Sequence, residues 1–97
     1  MDSNALFHAL EAVQDRAIFL HFVQVLMDER ARATRLEAEQ PEMYRWSGAL
    51  GWQHDRIEDY LEGALRCTQD SENRNDFLSE PTWRGFAEFL YCGKIYE

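Results

Sequence analysis

Five side chains of this sequence could hold a soft or borderline metal: His8, His21, His54, Cys67 and Cys92. A structural or catalytic zinc site usually starts from a close pair, spaced so that one turn presents two ligands together. None of the five makes such a pair, and His8 and His21 lie thirteen residues apart across a suspected turn. No metal or other cofactor is therefore expected. Cys67 as a nucleophile would sit near the C-terminus of a predicted helix, where the helix dipole opposes a thiolate. Ser47 precedes Gly48 without the strand–turn–helix context of a nucleophile elbow. Gly48 and Gly51 are separated by Ala-Leu and followed by neither Lys nor Thr, so they make no phosphate cradle.

The carboxylates are the remaining candidates. Asp55, Glu58, Asp59 and Glu62 could line one ridge of a helix. Paired acids carry acid–base chemistry only in a cleft that shifts their pKa values. On an amphipathic helix they form a solvated face, which suits docking of a basic protein better than catalysis. The expectation is a protein that is not an enzyme.

The elements that position these residues are helical. Asp2-Ser3-Asn4 offers caps, and Leu6, Phe7, Leu10 and Val13 follow at helical spacing. The stripe changes phase at Asp15, which predicts a turn and a second helix. Phe19, Phe22 and Leu26 head the broad apolar face of that helix, with Ile18, Val23 and Met27. The Arg/Glu-rich stretch 29–39 continues it towards solvent, and Pro41 ends it. Residues 41–55 read as a structured, aromatic-rich connection with one short helical turn after Pro41. In it Trp46 and Trp52 are expected to anchor the core, and Met43 and Tyr44 to be exposed.

A third helix starts from a capping-box pattern at Asp55 and carries Ile57, Tyr60, Leu61, Ala64 and Leu65 as a complete apolar stripe. Residues 69–80 read as a polar loop pinned by Phe77 and Leu78. A closing helix follows Pro81-Thr82. Trp83, Phe86, Ala87 and Leu90 should be its buried stripe, Gly93 should weaken or end it, and Ile95 and Tyr96 should fold back on the core. Phe89, Tyr91 and Glu97 are left as exposed contacts. If Trp83 is buried in this way, Trp83→Ala costs roughly 3–5 kcal/mol.

The totals agree with an all-α, single-domain bundle of three to four helices covering residues 1–97. The chain is 45% apolar, 29% charged and 13% aromatic, which fits a small globule rather than disorder. Acids outnumber bases by 18 to 10, for a net charge of −8. Nucleic-acid binding needs clustered Lys and Arg, yet Lys94 is the single lysine and Arg30, Arg32 and Arg35 are interspersed with acids. Neither nucleic acid nor a membrane is an expected partner. Two buried thiols, no leader-like segment and no run of about 20 apolar residues make a reducing cytoplasm the default.

Two stretches also resemble a known pattern. Gly51-Trp52-Gln53-His54-Asp55-Arg56-Ile57-Glu58-Asp59-Tyr60-Leu61 resembles the run of Trp, polar pair, Ile or Leu, acid, aromatic and Leu in a small bacterial domain family of unknown function. Thr82-Trp83-Arg84-Gly85-Phe86-Ala87, then Leu90 and Ile95-Tyr96-Glu97, is similar to that family's close, and Phe19-Leu20-His21-Phe22 looks like its first core helix. Thr82 stands where the family usually has Ser, and Gln53-His54 replaces a more usual acid–Asn pair. The resemblance covers about residues 15–97; residues 1–14 and the Arg/Glu-rich stretch look like additions. It implies an essentially helical fold and supplies no catalytic residues to carry over.

The leading expectation is a small acidic module that binds a basic protein, as an immunity-type or regulatory protein would. Its docking residues are expected to be Tyr44, Trp46, His54, Asp55, Glu58, Asp59 and Glu62. The alternatives are a small-molecule pocket near residues 41–55, lined by Tyr44, Trp46 and His54, and a structural homo-oligomer. As a protein-binding module the chain would itself be a monomer or a homodimer.

Overall fold

The computed structural model describes residues 5–70 and 78–96. The caps read at Asp2-Ser3-Asn4, the Phe77 pin and the Glu97 contact lie outside them. The described residues form helices α1 (Ala5–Ala12), α2 (Arg16–Glu39), α3 (Ile57–Asp70) and α4 (Trp83–Ile95). A single 3₁₀ turn, Ala49–Gly51, interrupts the connection between α2 and α3. The body measures 42 × 27 × 19 Å. Its short dimension is about two helix diameters, as expected for two layers of helices.

Local chemistry accounts for the boundaries. The Asp15 carboxylate accepts the Ile18 N–H at 2.9 Å and starts α2, the standard use of an Asp N-cap. At the other end the Gln40 N–H reaches the Leu36 carbonyl before Pro41 forbids another turn. The chain past Pro41 makes a turn rather than a helix, with Met43 and Tyr44 N–H both donating to the Gln40 carbonyl. Thr82 Oγ1 accepts the Gly85 N–H at 2.9 Å and caps α4. The start of α3 is shifted by one residue from the capping-box reading: it begins at Ile57, and the Arg56 carbonyl accepts the Tyr60 N–H.

The core lies between α1, α2 and α4. Leu6, Leu10 and Val13 pack with Phe22, Leu26, Ala33 and Ala87, and Ala49 and Trp52 from the connection close one end. Phe19 and Leu90 lie partly buried against this cluster, as does Tyr91, which was expected to be an exposed contact. Phe89 is likewise half-buried.

α3 is held differently. It packs on α4 and makes at most marginal contact with α2. Its buried positions are Gly63, Ala64 and Cys67. The partner face of α4 is also small: a Cβ placed on Gly93 would lie 2.9 Å from the Tyr60 carbonyl oxygen, and one on Gly63 would lie 2.9 Å from that of Tyr96. Glycine is required at both positions because the backbones approach so closely.

This packing overturns six expected core positions. Ile57, Leu61 and Leu65 are 70%, 48% and 52% exposed. The small side of α3 already occupies its contact with α4, which turns the large stripe outward. Trp83 and Phe86 are also exposed, although both rings rest on Phe19. Ile95 is exposed at the end of α4. Gly93 does not terminate that helix; it lies inside α4 as the notch for Tyr60. Tyr96 is half-buried and bonded to α3 through the Asp70 carboxylate, which accepts its hydroxyl hydrogen.

Candidate functional site

The connection between α2 and α3 is tied down by hydrogen bonds to two helices. From α2, Glu37 accepts the Ala49 N–H at 2.9 Å, and Arg30 donates to the His54 carbonyl at 3.2 Å. Glu29 accepts the Trp52 indole N–H, also at 2.9 Å. From the end of α4, the Lys94 carbonyl accepts the Gln53 N–H, and the Tyr96 carbonyl accepts from His54 Nε2 at 2.6 Å.

At the centre of these ties Lys94 and Glu29 form a buried ion pair of 2.7 Å. Lys94 and Arg30 both lie over the Trp52 ring, 5.8 and 5.2 Å from its centre. Such contacts place the positive charge on the electron-rich ring face. Glu37 in turn holds Arg30 at 2.7 Å. Every charge in this cluster is therefore paired, as burial demands.

Trp52 is the core anchor that its residue type suggested, at 4% exposed. Trp46 is not: it is 89% exposed, with only the Arg45 guanidinium over its ring. Tyr44, Trp46, His54 and Asp55 do share one hollow of about 360 Å³ with Arg30 and Arg45. Glu58 lies elsewhere, exposed on α3, whereas Asp59 and Glu62 line a smaller hollow with His54 and Gly63. Arg56 lies 3.4 Å from Glu58 and 3.6 Å from Asp59, and Arg66 lies 3.6 Å from Glu62. The seven docking residues read from the sequence thus spread over two hollows that meet at His54, and Glu58 lines neither. Tyr44, expected to be exposed, is half-buried against the core.

A third surface was not anticipated. Between α2 and α3 runs an open groove of about 460 Å³ with Leu90 of α4 among its lining residues. Val23 and Met27 line it from α2, and Ile57 and Tyr60 from α3. Tyr60 donates its hydroxyl hydrogen to the Leu90 carbonyl at 2.7 Å. Burial and the nearby Cys92 push the Tyr60 pKa up to about 12.

The sequence carried a sign of this groove in the width of the α2 stripe. Ile18, Phe19, Phe22, Val23, Leu26 and Met27 span more of the helix circumference than one neighbour covers. Phe22 faces the core and Met27 the groove, while Val23 and Leu26 belong to both. Among the described residues no three His, Cys, Asp or Glu side chains gather as a metal site, and no helix is long and apolar enough to cross a membrane. Compared with protein-family models, curated proteins and solved structures, the chain finds no match in any of the three.

Proposed function

We propose that this domain is a protein-binding module that docks a basic partner through the outer face of α3. The observation that carries this reading is the row Ile57, Leu61 and Leu65, large and exposed, beside the acidic ridge of Glu58, Asp59 and Glu62. The helix already has its intramolecular contact through Gly63, Ala64 and Cys67, so the fold makes no use of the larger stripe. A rimmed apolar surface of this kind marks an interaction site. An acidic border on a chain of net charge −8 selects basic partners and speeds their encounter. Covering a partner in this way is how an immunity-type or regulatory protein works.

The test is differential capture from a lysate of the producing cells, with wild-type protein and Leu61→Glu as baits at low and high salt. The expected result is a partner retained by wild type, lost with Leu61→Glu and weakened by salt. Identical capture by both baits, or none by wild type, overturns the reading.

A second reading rests on the hollow shared by Tyr44, Trp46, His54 and Asp55, which has the size of a small-molecule site. A fragment screen by NMR, following the Trp46 indole signal, tests it. Fragments that shift this signal and lose binding with Trp46→Ala would support a ligand pocket, and an unmoved signal would exclude it.

A further inference from the structure

Resting on the small-molecule reading of the hollow beside the connection, we infer that this hollow takes a short peptide of about three residues with both ends free. The peptide's amino group is received at Asp55 and its carboxylate at Arg45, with an apolar side chain against Trp46.

The charges lining the hollow are of two kinds. Two are already used: Glu37 holds Arg30 with one oxygen and the Ala49 N–H with the other, and Arg30 also donates to the His54 carbonyl. Two are left over, one of each sign. Asp55 is exposed and has no hydrogen-bond or ion-pair partner among the described residues. Arg45 has an ion pair to Glu42, but it is 3.7 Å long with both side chains open to water, a pairing worth little. A purely cationic ligand would meet Arg45, and a purely anionic one would meet Asp55. A dipolar ligand finds opposite charge at each end.

The separation of the two charges sets the length of the ligand. Asp55 follows His54, whose carbonyl is held by Arg30, and the same guanidinium reaches Thr34 and Glu37. Arg45 follows Tyr44, whose N–H is held by the Gln40 carbonyl. Between Thr34 and Gln40 α2 rises about 9 Å. An extended chain covers about 10 Å in three residues. A single amino acid carries its two charges too close together to use both ends.

The other lining groups suit a peptide. His54 donates from Nε2 to the Tyr96 carbonyl, which leaves Nδ1 as an acceptor next to Asp55. A terminal ammonium has three donors to share between them. The hydroxyls of Tyr44 and Ser47 have no partner among the described residues and are free to bond a peptide backbone. Trp46 is 89% exposed with the Arg45 guanidinium 5.3 Å from its ring centre, so the indole stands at the carboxylate end. An apolar side chain laid on it would remove that surface from water. Capture of free chain ends is a recurring mode of peptide recognition.

The test follows the Trp46 indole N–H by NMR during titration with Ala-Phe-Ala in three forms: both ends free, N-acetylated and C-amidated. The free form should shift the signal and bind about fivefold more tightly than either blocked form. Free phenylalanine should bind more weakly than the free tripeptide. Asp55→Asn should cancel the penalty of acetylation alone, and Arg45→Gln that of amidation alone. Both variants change exposed side chains, and circular dichroism confirms that their folding is unaltered.

Equal binding of the three forms, or penalties that survive both variants, overturns the inference and leaves a pocket that reads no charge. A penalty for one blocked form only makes the ligand an ion of single sign, which also overturns it. Phenylalanine binding as tightly as the tripeptide does so too, because the two charges would then lie close together. If fragments shift the signal and none of these peptides does, the peptide falls and the pocket stands. If neither shifts it, both fall.

Discussion

The two sides of α4 follow opposite packing rules. Towards α1 and α2, large side chains interdigitate: Leu6, Leu10, Val13, Phe22 and Leu26 close around Ala87. Towards α3, the contact is made by Gly63, Ala64, Cys67 and Gly93, and the large residues of α3 look outward. Burial of large apolar groups stabilises the first side. Close backbone approach, with little apolar area, holds the second. The difference assigns stability to the closed side and leaves the large apolar side chains of the open side exposed.

The sharpest attack on this contrast removes one large side chain from each side. Phe22→Ala should destabilise by about 3–5 kcal/mol, because the ring is fully buried and its cavity cannot collapse. Ile57→Ala should stay within about 0.5 kcal/mol. Denaturant unfolding measures both, and equal losses would mean that α3 is packed as a core helix after all. Lys94→Met comes next. It leaves the Glu29 carboxylate buried with the Trp52 N–H and no cation, at a cost of about 3 kcal/mol. A neutral result in the same assay would show that this pair is solvated.

Gly93→Ala tests the open side directly. The added Cβ would lie 2.8 Å from the Tyr60 ring and 2.9 Å from its carbonyl, so overpacking should cost about 1–3 kcal/mol. It should also loosen amide protection in α3 more than in α1. Uniform loosening would break the distinction between the two sides.

The smallest effect concerns pH. Tyr60 ionises near 10.0 when unfolded and at about 12 when folded, because burial and Cys92 disfavour its charged form. Above about pH 10 the unfolded chain therefore sheds this proton first, and stability falls with rising pH until about 12. Tyr60→Phe should cost about 1 kcal/mol near neutrality through the lost bond to Leu90. It should also remove the Tyr60 share of the alkaline loss, read from melting temperature against pH. A variant with an unchanged alkaline slope would show that Tyr60 is already solvated.

Features written in a few neighbouring residues were legible in the sequence. The Asp15 and Thr82 caps, the stop at Pro41 and the four helices all follow from local spacing. The stripe of Ile57, Leu61 and Leu65 was equally visible, but periodicity shows that a helix has two faces without saying what covers either. The covering contact was carried by Gly63, Ala64 and Cys67, of which only Ala64 belonged to the stripe read from the sequence. Trp46 and Trp52 differ for the same reason. Only Trp52 finds Glu29, Arg30 and Lys94, and that meeting joins α2, the connection and α4. The groove was hidden too, since Met27 and Ile57 come together across thirty residues of chain. Trp83, half open rather than enclosed, should lose less on truncation than a buried ring would.

The seam of small residues also contains a clock. Cys67 is buried in it as a thiol, and Cys92 is half-buried on α4. A thiol reagent reaches the buried Cys67 fully only when α3 lifts away, whereas the half-buried Cys92 is more accessible in the closed fold. The ratio of the two alkylation rates, followed by mass spectrometry, therefore reads how often α3 leaves its seat.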